Sequence, residues 1–60
     1  LAQVRAFIDT LPEQERSALL LYAVEGLEQT EVAQEMETTP AAIKQAVLSA
    51  RKKLREKFGE

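Results

Sequence analysis

In the run Gln29-Thr30-Glu31-Val32-Ala33-Gln34-Glu35-Met36-Glu37-Thr38-Thr39-Pro40-Ala41-Ala42-Ile43-Lys44-Gln45-Ala46-Val47-Leu48-Ser49-Ala50, two helical patterns meet across residues 37–39. Val32, Ala33 and Met36 share one face of a short helix over 29–36. Ile43, Val47, Ala50, Leu54 and Phe58 recur at spacings of 4, 3, 4 and 4, the stripe of a longer helix over about 40–57. Thr39 is a suitable N-cap, because its hydroxyl can accept from a free backbone N–H. Pro40 fits the first helical position, where an N–H has no partner to lose. A short helix, a tight connector and a capped second helix make a helix-turn-helix. The second helix is then the one that enters a DNA groove.

Upstream of this pair the pattern stays helical. Leu1, Val4, Ile8 and Leu11, with Phe7 beside them, put one apolar face on a first helix over about 2–9. Pro12 ends it and opens a second helix to about Val24, with Glu13 and Glu15 in the first turn, where the helix dipole favours acids. Ala18-Leu19-Leu20-Leu21-Tyr22-Ala23-Val24 is apolar nearly all round, so this helix is expected at the buried centre. Gly26 supplies a left-handed residue to end it, and Gly59 ends the fourth helix. The expected fold is all-α: one four-helix domain over residues 1–60 with a C-terminal helix-turn-helix and no β wing. Beginning at Leu1 and not Met, the chain is expected to be a piece of a longer protein.

With no Cys and no His, thiolate or imidazole metal ligands are excluded, and no metal or other cofactor is expected. Ser17 and Ser49 have no identifiable base and the acids are dispersed, so no catalytic residue is expected and the chain is not read as an enzyme. No apolar run approaches the ~20 residues of a bilayer span, and the N-terminal residues lack a signal-peptide pattern. Membrane insertion is not expected, and the expected compartment is the cytoplasm.

Net charge is −2, which taken alone argues against a polyanionic partner. Its distribution argues the other way. Residues 1–42 set Arg5 and Arg16 against eight carboxylates, a net −6, whereas residues 43–60 set six cations against Glu56 and Glu60, a net +4. Such a dipolar layout turns one end of a small domain toward a polyanion. Basic residues near a helix C-terminus also complement its dipole, so charge leaves both readings open.

Removing the apolar stripe from the fourth helix leaves Ala41, Lys44, Gln45, Leu48, Ser49 and Lys52 as an outward face. Lys44 can donate to guanine or phosphate, Gln45 can pair with adenine, and Leu48 can meet a thymine methyl. Ser49 suits a base or the backbone. Arg51, Lys52, Lys53, Arg55 and Lys57 lie farther along, where phosphate is the expected target. The N-terminus of the helix also presents free N–H groups to phosphate.

The order of residues carries more than the pattern. Leu11-Pro12-Glu13-Gln14-Glu15-Arg16, Ala18-Leu19-Leu20-Leu21-Tyr22, Glu25-Gly26-Leu27, Glu31-Val32-Ala33, and Ile43-Lys44 through Ala50-Arg51-Lys52-Lys53-Leu54-Arg55 together resemble region 4 of bacterial sigma factors. The likeness is nearest to the extracytoplasmic-function group and spans nearly the whole chain without a gap. The resemblance implies sequence-specific recognition of the −35 promoter element through the last helix and docking of the first helices on the β flap of RNA polymerase. It places Lys44, Gln45, Leu48 and Ser49 at base-reading positions. Thr39, Ala41, Lys44, Arg51 and Lys52 are the expected phosphate contacts, Ala41 through its backbone at the helix start. An anti-sigma protein is a partner of this domain in many members.

The chain departs from that pattern at several positions. Glu37 stands where the family commonly has a small turn residue, often Gly, and Ala41-Ala42 where it often has Gly-Thr. Ala46 and Ser49 replace arginines, and Glu28 replaces a Ser-type cap. Fewer arginines, with Glu35 and Glu37 close by, weaken attraction to phosphate. Two other readings follow: a sigma-like module held by an anti-sigma partner without reading DNA, and the related four-helix output domain of transcriptional activators.

Overall fold

A computed structural model of the chain describes residues 2–59. Leu1, expected on the inner face of the first helix, lies outside the described residues. Four helical segments follow one another: α1 (Ala2–Ile8), α2 (Glu13–Leu19, continued by a π-helical segment Leu20–Val24), α3 (Gln29–Glu35) and α4 (Pro40–Phe58). No strand occurs among the described residues. The all-α, four-helix architecture agrees with the periodicities, and the observed ends lie within a residue or so of the expected ones.

The core is small and α4 runs through it. Ile43 and Ala50 are fully buried, Val47 and Ala46 nearly so, against Ala18 and Leu19 of α2 and Val32 and Ala33 of α3. Ile8 and Leu11 close the core from the α1 side. Its alanines matter as much as its branched residues, because small side chains let the helix axes approach closely. Farther along α4, Phe58 lies edge-on to Phe7 of α1 with ring centroids 5.7 Å apart, a favourable arrangement for aromatic quadrupoles.

The second helix differs from expectation. It is not buried all round: after Leu19 no residue of the segment is fully buried, Leu20, Leu21 and Tyr22 are half-buried, and Val24 is 67% exposed. The geometry gives the reason. The Glu25 N–H donates to the Leu20 carbonyl at 3.0 Å, five residues back, and the Leu27 N–H to that of Leu21 at 3.1 Å. Each wide turn carries more residues than an α-helical one and rotates the side chains that follow out of the register α2 began. Gly26, at φ +80°, turns the chain toward α3.

Hydrogen bonds at the helix ends hold the helix-turn-helix pair together. Glu31 reaches back to accept from the Glu28 N–H at 2.9 Å, anchoring the start of α3. At its end the Thr38 N–H donates to the Ala33 carbonyl at 2.9 Å and the Glu37 N–H to that of Gln34 at 3.3 Å. These are the paired closures of a Schellman motif, with the left-handed residue between helix and turn. That residue is Glu37, at φ +56°, the non-glycine positive φ among the described residues. Thr39 Oγ1 accepts from the Ala42 N–H at 3.2 Å, capping α4 as anticipated.

Two stability outcomes follow. Left-handed backbone costs a side-chain-bearing residue about 1–2 kcal/mol, which glycine avoids at some cost in unfolded-state entropy. Glu37→Gly should therefore stabilise the chain by about 1 kcal/mol and raise Tm by roughly 4–8 °C, with Glu37→Val lowering it. Thermal melting followed by circular dichroism reads both, and a lower Tm for the glycine variant contradicts the account. Ile43→Ala should cost about 2–5 kcal/mol, enough to abolish cooperative melting in so small a core. Leu48→Ala, at a 49% exposed site on the same helix, should shift Tm little.

Candidate nucleic-acid interface

Because α4 buries Ile43, Ala46, Val47 and Ala50 on one side, the positions about half a turn away are left open. Ala41, Lys44, Gln45, Leu48, Lys52 and Arg55 are all exposed and form one continuous strip. Leu48 is 49% exposed in the middle of it, an apolar side chain flanked by Lys44, Gln45 and Lys52. Thr39 stands at the head of the strip, exposed, its hydroxyl oxygen engaged with Ala42 while its own proton can still be donated. By position, the Ala41 N–H is left without an intrahelical acceptor and faces the same end.

Ser49 is not on the open strip. It lies on the shoulder of α4 that adjoins α2, half-buried, and its hydroxyl donates to Glu15 Oε2 at 3.1 Å. One turn farther along, Lys53 Nζ pairs with Glu15 Oε1 at 3.0 Å. A single carboxylate, its side chain 18% exposed, thus holds two consecutive polar positions of α4. The apolar stripe Ile43, Val47, Ala50 and Leu54, taken as the whole buried side near it, puts Ser49 outward. Ala46 proves to be 7% exposed, so the contact with α2 is wider than that stripe on this side.

The opposite shoulder is also occupied. The Arg51 guanidinium sits over the Tyr22 ring, 5.7 Å from its centroid, within the range of a cation–π contact. Tyr22 belongs to the π-helical segment, so the wide turn presents the ring to α4. Of the expected phosphate contacts, Thr39, Ala41, Lys44 and Lys52 therefore lie open, and Arg51 is held at the edge. Of the expected base contacts, Lys44, Gln45 and Leu48 share the open strip and Ser49 does not.

Glu15 and Tyr22 are the residues that sequence reading did not connect with this surface. Glu15 reads as a favourable acid in the first turn of a helix, and Tyr22 as one member of an apolar run. Nothing local ties either to a partner about thirty residues away. The remaining acids of the turn, Glu35 and Glu37, are exposed beside the start of α4.

A shallow groove separates the N-terminal turns of α2 and α4, lined by Pro12, Gln14, Glu15, Ala42, Gln45 and Ser49. It is open, with apolar and polar walls, and Glu15 and Gln45 both line it. No group of three or more acids that could hold a metal ion is found among the described residues. No helix of the described residues is long and apolar enough to cross a membrane.

A family model described as Sigma-70, region 4 matches residues 1–54. No curated protein and no solved structure matches the chain significantly. The matched span takes in α1, α2, α3 and α4 as far as Leu54, and with them the open strip through Lys52 and both occupied shoulders. An ordered match of that extent, on a helix-turn-helix whose second helix keeps a continuous open face, means that the chain belongs to the sigma-70 region 4 family of DNA-binding transcription domains.

Proposed function

We propose that the chain recognises the −35 element of a promoter during transcription initiation, with α4 lying in the major groove. The observation that carries this reading is the strip of exposed residues on α4, left uncovered by the described residues, with hydrogen-bonding and apolar groups in its N-terminal half and cations beyond. Lys44, Gln45 and Leu48 are assigned to base edges: lysine to guanine acceptors, glutamine to adenine, leucine to a thymine methyl. Ser49 is assigned a secondary base contact, open to it only when its proton leaves Glu15. Thr39, the Ala41 N–H, Lys44 and Lys52 take phosphates at the flanks, and Arg51 reaches a phosphate from over Tyr22.

Family membership also implies contact with RNA polymerase. We assign docking on the β flap to α1 and α2, whose part-exposed apolar side chains, Val4, Phe7 and Leu20 among them, are surface that a protein partner can cover. The domain over residues 1–60 is proposed to act as one unit, with α4 as the reader and α1 and α2 as the anchor. Compartment follows function here: promoter DNA and core polymerase place the protein in the cytoplasm.

A second reading has its own observation. Glu15 and Tyr22 engage three polar or cationic residues of α4, and the first 42 residues carry a net −6. A module so arranged suits a protein partner, here an anti-sigma protein, without DNA reading. Promoter DNA is favoured because the middle of the strip stays uncovered.

Titration onto promoter duplexes at several salt concentrations, with the protein bound to core polymerase, separates the readings. Gln45→Ala should weaken binding by about 1–3 kcal/mol and relax preference at one base pair. Lys52→Ala should weaken binding to all sequences alike and reduce the slope of log K against log salt by about 0.9. Absence of any sequence preference in the polymerase-bound state overturns the proposal in favour of the protein-binding module.

A further inference from the structure

Among the described residues, Glu15 is the carboxylate that reaches onto the shoulder of α4 through two bonds, and its partners are of the types that phosphate or bases compete for. Its Oε2 accepts from Ser49 at 3.1 Å and its Oε1 pairs with Lys53 at 3.0 Å. Those two residues are four apart on α4, so both oxygens are used along one row of the helix. The same carboxylate lines the groove beside Gln45. Its side chain is 18% exposed, which leaves its charge less screened than that of a fully exposed acid.

We propose that Glu15 is a positioning residue that tunes the affinity of this domain for duplex DNA: on a helix whose rotation the core already sets, it holds Lys53 and Ser49 against α2 and so withholds Lys53 from phosphate. The inference rests on the reading of α4 as the DNA-contacting helix and adds a residue of α2 to it. The physical balance is simple. A phosphate offered to Lys53 must displace a carboxylate already in contact, so the usual release of counterions that accompanies neutralisation is lost at that position. The separated Glu15 charge would then face the phosphate backbone at short range. Lys53 is therefore a cation by composition but adds little to the field that DNA meets.

Salt dependence distinguishes this role from a purely structural one, since the slope of log K against log salt counts the phosphates neutralised. Glu15→Gln keeps an oxygen that can accept from Ser49 and removes only the charge. In the full-length protein, measured on a duplex of arbitrary sequence, Glu15→Gln should steepen the slope by about 0.9 and tighten binding by roughly fivefold at 0.1 M salt. Lys53→Gln should leave the slope unchanged when Glu15 is present and reduce it by about 0.9 when Glu15 is Gln. Lys53 is 41% exposed, so its replacement keeps the fold and provides an independent arm should Glu15→Gln melt early. An unchanged slope in Glu15→Gln, or a reduced slope in Lys53→Gln alone, overturns the proposal. Because the duplex is of arbitrary sequence, these outcomes stand apart from whether the protein prefers a promoter.

Discussion

The burial of one side of α4 between α2 and α3 is the constraint on which the rest of the structure depends. Ile43, Ala46, Val47 and Ala50 sit at or near zero exposure, and they include the largest fully buried side chain of the domain, Ile43. Once those positions are fixed, the rotation of a 19-residue helix is fixed with them, and so is the identity of the residues that face outward. No separate device is needed to present Lys44, Gln45 and Leu48. They are exposed because their neighbours on the helix are not. A domain of 60 residues has little core to spare, and this one uses most of it to hold α4 in a single orientation.

The turn between α3 and α4 serves the same end by a different route. Packing sets the rotation of α4, but its direction is set by the few residues from Met36 to Thr39. The Schellman closure at Ala33 and Gln34 stops α3, and the Thr39 cap with Pro40 starts α4 almost at once. Between them Glu37 takes a left-handed backbone that glycine adopts more readily. The side chain it keeps is an acid, exposed next to the end of α4 where phosphate is expected. The chain thus retains the geometry of the turn while carrying a residue unfavourable both to that geometry and to a polyanion nearby.

Much of this was legible from residue order. Four helices, the caps at Thr39 and Pro40, the left-handed glycine at position 26 and the inner faces Val32–Ala33 and Ile43–Val47–Ala50 all follow from period and local chemistry, which act within a turn or two of helix. Two features did not follow, for physical reasons. Leu20–Val24 is apolar all round, a pattern that suits a central helix, but the backbone there takes wide turns that rotate Val24 into solvent, a change of pitch that residue type does not encode. Ser49 lies at the margin between core stripe and open strip, where helical spacing alone cannot assign a side. Its assignment came from a carboxylate 34 residues earlier in the chain. Contacts at that separation depend on how helices are placed against one another, which periodicity does not encode.

Charge shows the same distinction between what composition carries and what geometry allows. Residues 43–60 hold six cations, and by count they form a strongly basic helix. In the folded chain Lys53 is paired with Glu15 and Arg51 lies against Tyr22, so among the described residues Lys44, Lys52, Arg55 and Lys57 are the exposed cations of α4 outside those two contacts. A surface pair such as Lys53–Glu15 contributes little to stability, on the order of 0–1 kcal/mol, so stability alone is a weak reason for its presence. Its effect on the field around α4 is larger in proportion, since it cancels one of few charges beside the groove. A reader with a modest field binds poorly to DNA at large and depends more on its base contacts and on whatever else holds it in place. For a domain of the sigma-70 region 4 family, which acts in concert with polymerase, that restraint is consistent with selectivity coming from the assembled complex and not from the helix alone.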